Sequence, residues 1–289
     1  MDATLLGRTV VFYGIVLCVG AVFGRLLPSR LGTDEDPDSR SGERLGRLGA
    51  GVLLLGLAAL FASQLLEFRD PLAPLAGEAR ILLGTSWGRT WLAAGVGAGV
   101  ACASFWMASA GRSRAWFIGA ASVVPLAAFP ALSGHAVASE DLQWIAVTAD
   151  GLHVLAAGVW MGGLAWVLWR TRALHEPAPR AVTLVRAFSP WARAGALVLV
   201  VTGGFAVWLH VADLSALPRS PYGRWLILKL TLVALTMSLG WWNWRCATPR
   251  LGGTAADARA ARRSMVLEWW VGFALVIAVT AALVNTSPS

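Results

Sequence analysis

The chain has 289 residues, of which 57% are hydrophobic and 14% charged, with a mean hydropathy of +0.63. That is far more apolar than a soluble domain, so a water-soluble globular protein is excluded. The formal charge of +8 and pI near 10.8 would suit nucleic acid only if the basic residues clustered on a water-exposed module; they stand instead between apolar runs.

Apolar runs of the ~20 residues needed to cross a hydrocarbon core recur along the whole length. They predict about eight helices, near Leu5–Leu27, Leu45–Leu66, Trp87–Ala108, Ala115–Leu132, Leu142–Trp169, Trp191–Val211, Trp225–Trp244 and Met265–Val284. No stretch is left for a separate soluble domain, so residues 1–289 read as one membrane domain, an all-α polytopic helical bundle. In the first span, Val19–Ala21 offers the small residues of a signal-peptide cleavage site. Asp2 and Arg8 lead that span while Arg25 and Arg30 follow it, the reverse of a signal's charge order, so an uncleaved helix is expected. Ser29–Arg44 reads as a mixed-charge, solvated loop and His175–Arg180 as a Pro-interrupted one.

Arginines orient the bundle. Arg25, Arg30, Arg40, Arg44 and Arg47 surround the first loop, Arg112 and Arg114 the third, Arg170, Arg172, Arg180 and Arg186 the fifth, and Arg245, Arg250, Arg259, Arg262 and Arg263 the seventh. Those loops are expected to be cytoplasmic, which puts both termini outside: N-out and C-out. Trp87, Trp91, Trp144, Trp169, Trp191, Trp225, Trp241, Trp242, Trp244 and Trp269 fall near span ends, where amphipathic rings favour the headgroup region. Cys18, Cys102 and Cys246 have no C-x-x-C spacing and read as packing residues.

Orientation makes the histidines comparable in depth. His135 ends span four, Asp150 and His153 lie in the outer third of span five, and His210 closes span six, all toward the outer face. His175 falls in a cytoplasmic loop. Asp150 and His153, at i and i+3, share a helix face. At about 100° per residue, Trp160 continues the stripe beneath His153 and Met161 beneath Asp150. Gly158, Gly162 and Gly163 would let neighbouring backbones come close. An ionisable residue within a span costs roughly 2.5–3.5 kcal/mol on insertion scales and usually serves a site or pathway. Imidazoles with a carboxylate and a deeper thioether suit copper better than magnesium or calcium, though spacing alone leaves b-type haem between two histidines open.

Lys229, the chain's only lysine, lies in the outer third of span seven; it reads either as a charge partner of Asp150 or a bound anion, or as a side chain snorkelling to the interface. Toward the cytoplasm, Asn243, Glu268, Ser189 and Arg193 form a second polar set, with Glu268 expected in an ion pair with Arg193, Arg245 or Arg263 and an exit-side ligand or proton site as the alternative. Gln64 and Glu67, ending span two, are further candidates for the outer cluster.

The runs SGHA (133–136), D-x-x-H (Asp150, His153), AAGVWMGGL (156–164), RAFSPWA (186–192), VTGG (201–204) and SPYGRWLILK (220–229), then Asn243, Glu268 and a closing N-x-x-P (285–288), resemble the copper resistance D family of bacterial inner-membrane proteins. The resemblance is carried by the second half, with a family-like core at about 115–289; the first spans are generic. It implies an eight-helix, multi-pass plasma-membrane protein that handles copper, usually beside a periplasmic carrier of the copper resistance C type. No fused carrier domain or Met-rich run stands in this sequence, which leaves a separate carrier or direct capture as the copper source.

The expected function is thus copper transport or handling across the bacterial plasma membrane, uptake favoured over export. His135, His153, His210 and Asp150 form an outer-leaflet metal site, with Met161 on the inward path. Expected partners are the copper ion, the lipid bilayer and a copper carrier, with no nucleic acid and with homo-oligomerisation open. An enzyme is not expected, since no nucleophile–base set, phosphate loop or H-E-x-x-H motif is present. The alternatives are a membrane redox protein with haem b and a factor delivering copper to a cuproenzyme.

Overall fold

Hydrocarbon offers backbone N–H and C=O groups no partners, so each apolar run must close its hydrogen bonds within itself. In the computed structural model, which describes residues 3–30, 41–70, 72–133, 142–171, 179–211 and 214–284, every span is helical. Eight helical stretches among these residues are long and apolar enough to cross a membrane: Ala3–Leu27, Ser41–Glu67, Ser86–Ser109, Ala115–Leu132, Gln143–Arg170, Ala181–Leu209, Pro221–Arg250 and Ala255–Leu283. We number the helices α1 (Ala3–Arg30), α2 (Ser41–Glu67), α3 (Leu75–Gly84), α4 (Ser86–Ser109), α5 (Ala115–Leu126), α6 (Phe129–Leu132), α7 (Gln143–Ala157), α8 (Gly163–Arg170), α9 (Pro179–His210), α10 (Pro221–Trp242), α11 (Thr248–Arg250), α12 (Ala255–Trp269) and α13 (Ile277–Val284).

Several boundaries differ from the sequence expectation, span seven among them, which runs Pro221–Arg250 rather than Trp225–Trp244. Span two begins at Ser41 rather than Leu45, and the end of the supposed solvated loop is buried, Glu43 being 1% exposed. Its burial has a local cause: Arg25 pairs with Glu43 while lying 5.4 Å from the Trp116 ring, and Trp166 Nε1 donates to Ser41 Oγ at 3.0 Å. The remainder of that loop, 31–40, lies outside the described residues. Spans six and eight start well before Trp191 and Met265, because hydropathy registers only the apolar portion of a helix that continues into polar surroundings. For span eight the start is set by a capping box, Asp257 N donating to Thr254 Oγ1 at 3.2 Å and Thr254 N to Asp257 Oδ2 at 3.1 Å. Helix α3, ten residues and too short to span, was not expected; it has no buried residues and packs along α4.

The first span is the centre of the molecule. One apolar cluster joins Val11, Ile15 and Cys18 of α1 to Leu53 and Leu57 of α2, Phe105 of α4 and Trp116 of α5. A second joins Val16 and Phe23 of α1 to Trp160, Met161 and Trp166 of span five, Phe188 of α9 and Met265, Phe273 and Ile277 of span eight. Gly20 and Gly162 make the junction possible: a Cβ on Gly162 would overlap the Val16 carbonyl and the Gly20 backbone. Gly158 likewise receives the Val19 side chain, as the Gly-rich turns led one to expect. Spans six and seven bury only 6% and 11% of their apolar windows against 67% for the first span, so their Leu, Ile and Val faces are left for lipid.

Trp144, Trp241 and Trp242 stand more than half exposed, in keeping with a belt at the headgroups. Trp91 and Trp269 depart from that reading: Trp91 Nε1 donates to the Leu57 carbonyl at 2.8 Å, and Trp269 stacks on Phe273 with ring centroids 4.6 Å apart. Spans five, seven and eight share one irregularity. Each contains a π-helical turn, at Gly158–Gly162, Asn243–Ala247 and Trp270–Val276 respectively. Such turns are rare and occur mostly as single bulges, frequently at functional sites.

Candidate functional site: a supported imidazole and a buried carboxylate

His153 is half-buried on α7, where its Nδ1 lies 2.8 Å from Thr202 Oγ1 of α9. The Thr202 hydroxyl donates its own proton to the Val198 carbonyl at 2.7 Å. Toward the imidazole, Thr202 can therefore only accept, so the network assigns the proton to Nδ1 and leaves the Nε2 lone pair available. Such a partner fixes the tautomer and the orientation of the ring, a support that metal-ligating histidines in general also have. The ring also rests against span six at Gly203, where a Cβ would come within 3.5 Å of Cε1.

Asp150, one turn away, is half-buried as well. Lys229 of α10 interacts electrostatically with both Asp150 and His153. Spans five and six thus meet at His153 and Thr202, with Asp150 one turn from His153 and Lys229 of span seven within electrostatic reach. Among the described residues no three of His, Cys, Asp and Glu gather as a ready metal site. His135 lies outside the described residues, and of His210 only its place as the last residue of α9 is described. Gln64 and Glu67 bond to each other at 3.1 Å on the exposed end of α2.

Met161 and Trp160 belong to a different group, deeper in span five. Trp160 is seven residues beyond His153, about 10 Å along the axis. Its Nε1 donates to Glu268 Oε1 of α12 at 2.8 Å, and Asn243 Nδ2 donates to Glu268 Oε2 at 2.6 Å. All three side chains are buried, Glu268 being 4% and Asn243 6% exposed. The Met161 sulfur packs directly on Gly272 beside Thr236.

The expected ion pair of Glu268 with an arginine is therefore corrected: its oxygens face an indole and an amide. Arg193 and Arg245 flank the Trp244 ring instead, with guanidinium carbons 4.5 Å and 5.9 Å from its centroid, and Arg263 is exposed. The physical reason is direction. Trp244 follows Asn243 by one residue and so points roughly a quarter turn away around the helix, where both arginines meet its ring.

Sequence reasoning missed Thr202, and it placed Trp160 on the stripe beneath His153 without foreseeing its bond to Glu268. Thr202 stands within VTGG and Trp160 within AAGVWMGGL; periodicity gives the face of such a residue but does not separate a hydrogen-bond partner from packing.

Comparison with known proteins bears on both halves. A profile described as "Copper resistance protein D-like, N-terminal domain" matches residues 1–143, and one described as "Copper resistance protein D" matches residues 182–283. The chain is 29% identical over 161 residues to the copper transport protein CutJ of Bacillus subtilis (strain 168). That match covers 55% of this chain and 28% of the relative, so the chain corresponds to a minor part of that protein's length. No solved structure matches. With one profile over spans one to four and the other over spans six to eight, the chain belongs to the copper resistance protein D family.

Proposed function

We propose that this protein moves copper ions across the bacterial plasma membrane, capturing them at the outer polar group and passing them inward. The observation that carries the reading is the His153 imidazole, oriented by Thr202 with its Nε2 lone pair available. Family membership and the name of the Bacillus subtilis relative point to copper as the cargo. Imidazole and carboxylate suit copper, and the Met161 thioether, deeper in the same span, suits Cu(I).

Lys229 gives the group a way to accept a cation. With no metal bound, the ammonium balances Asp150; an incoming copper ion takes over that carboxylate and displaces the ammonium. His135 and His210 complete the ligand set in this reading, since the arginine-derived orientation brings both span ends to the outer face. The source is a periplasmic carrier or direct capture from outside, and the role is that of a carrier rather than a catalyst.

The test is copper content and affinity of the purified full chain beside His153→Ala and His135→Ala. Expected is loss of bound copper in both variants; unchanged content would remove the site. A Soret band in the wild type that disappears in His153→Ala would replace copper with haem. Copper accumulation in proteoliposomes of defined orientation then reads direction, and accumulation from the outer side only supports uptake.

A further inference from the structure

We propose that Glu268 is a proton-binding site within the membrane, and that Asn243 serves it in both ionisation states by turning its amide over. The inference goes beyond copper transport and holds whatever the cargo.

A carboxylate inside a bilayer is costly and is usually retained for a pathway or relay. Here it is met by neutral donors only. Trp160 and Asn243 each donate one hydrogen bond, and Gly240, whose Cβ would lie 3.1 Å from Glu268 Oε1, leaves room beside it. The charged groups on the elements packed against α12 are engaged elsewhere. Arg245 is at the Trp244 ring, Arg250 acts on Asp257, Arg262 of α12 itself donates to the Leu168 carbonyl at 3.3 Å, and Arg170 lies at the far end of α8. Lys229 and Arg224 of α10 lie toward the opposite end of their span, by the outer group.

The second observation is the unused half of the Asn243 amide. Its Oδ1 is buried and has no hydrogen-bond partner, while its Nδ2 serves Glu268 Oε2. An amide presents a donor and an acceptor on two nearly isosteric arms. With Glu268 ionised, Nδ2 donates to Oε2. When a proton from water on one face of the membrane forms an O–H bond at Oε2, that oxygen becomes a donor, and half a turn of the amide offers it Oδ1. Trp160 Nε1 keeps Oε1 in either state. Breaking the O–H bond returns the proton to water; no electrons move and no other reactant is required. One amide arm is left over in each state, so the exchange changes no partner count.

The backbone provides the means to tie this exchange to movement. Trp160 lies inside the π turn Gly158–Gly162, Asn243 begins the π turn Asn243–Ala247, and Glu268 stands two residues before the π turn Trp270–Val276. All three spans that touch the carboxyl thus leave regular α geometry beside it.

The experiment is infrared difference spectroscopy of the reconstituted full chain across a pH titration without copper, reading the carbonyl stretch that a protonated carboxylic acid shows and a carboxylate or amide does not. Expected is a titrating band in the wild type, lost in Glu268→Gln and shifted in frequency in Glu268→Asp. Identical difference spectra in wild type and Glu268→Gln overturn the proposal. Should Glu268→Gln not accumulate, Glu268→Asp is decisive alone, and an unshifted band overturns it. Since no copper is present, failure here leaves the copper reading standing, and failure of the copper reading leaves this one.

Discussion

Thr202 and His153 face each other across spans six and five at 2.8 Å, and the threonine hydroxyl is already committed to the Val198 carbonyl. The imidazole therefore has one defined tautomer. Replacing Thr202 by Val keeps the shape and removes the acceptor, and loss of such a supporting bond typically costs ~10–100-fold in metal affinity. Thr202→Ser is expected to hold wild-type affinity. Competition with a chromophoric copper chelator measures both; wild-type affinity in Thr202→Val would show that the bond does not orient a ligand.

Lys229 and Asp150 set up a competition. If copper displaces the ammonium, Lys229→Met is expected to bind copper more tightly, by about tenfold, equivalent to roughly 1.4 kcal/mol. Asp150→Asn is expected to weaken it. Weaker binding in Lys229→Met would mean that the lysine supports the site by another route.

Trp160 and Glu268 form a buried donor–acceptor pair, and leaving a buried polar group unsatisfied costs about 1–3 kcal/mol. Trp160→Phe is expected to lower the thermal unfolding midpoint in detergent. The double variant with Glu268→Met should lose less than the sum of the singles, since each change removes the same hydrogen bond. Additive losses would argue that the bond contributes nothing of its own.

Gly162 and Gly20 let the bulged turn of span five meet α1 backbone to backbone. Gly162→Val is expected to abolish monodisperse protein, whereas Gly51→Ala, where a Cβ meets nothing within 4 Å, is expected to be silent. Size-exclusion profiles after extraction compare them. A well-behaved Gly162→Val would show that the two spans can separate without loss of the fold.

Orientation is open to labelling. A cysteine at Arg112, in the turn after α4, is expected to be shielded from a membrane-impermeant maleimide in intact cells, and one at Arg80 of α3 to react. The reverse pattern would turn the proposed path of copper around.

Much of this molecule could be read from residue order alone. Eight spans follow from runs of apolar residues, because the thickness of hydrocarbon demands about 20 of them whatever they pack against. The glycines of span five announced a close approach, and the Gly162–Gly20 junction is that approach. The outer candidates Asp150 and His153 were visible because an acid and an imidazole are out of place in an apolar helix.

What only the tertiary structure decided is which side chains meet. Glu268 invited an arginine partner, since Arg259, Arg262 and Arg263 precede it closely in sequence, yet the helix faces deliver Trp160 and Asn243, residues 108 and 25 positions away. Nor could composition reveal the three π turns, which are a property of the hydrogen-bond register between turns and leave residue order unchanged. Apolar periodicity records how a helix meets lipid; the partners of a buried carboxyl are set by how helices rotate against one another, and that rotation is fixed by packing of the whole bundle.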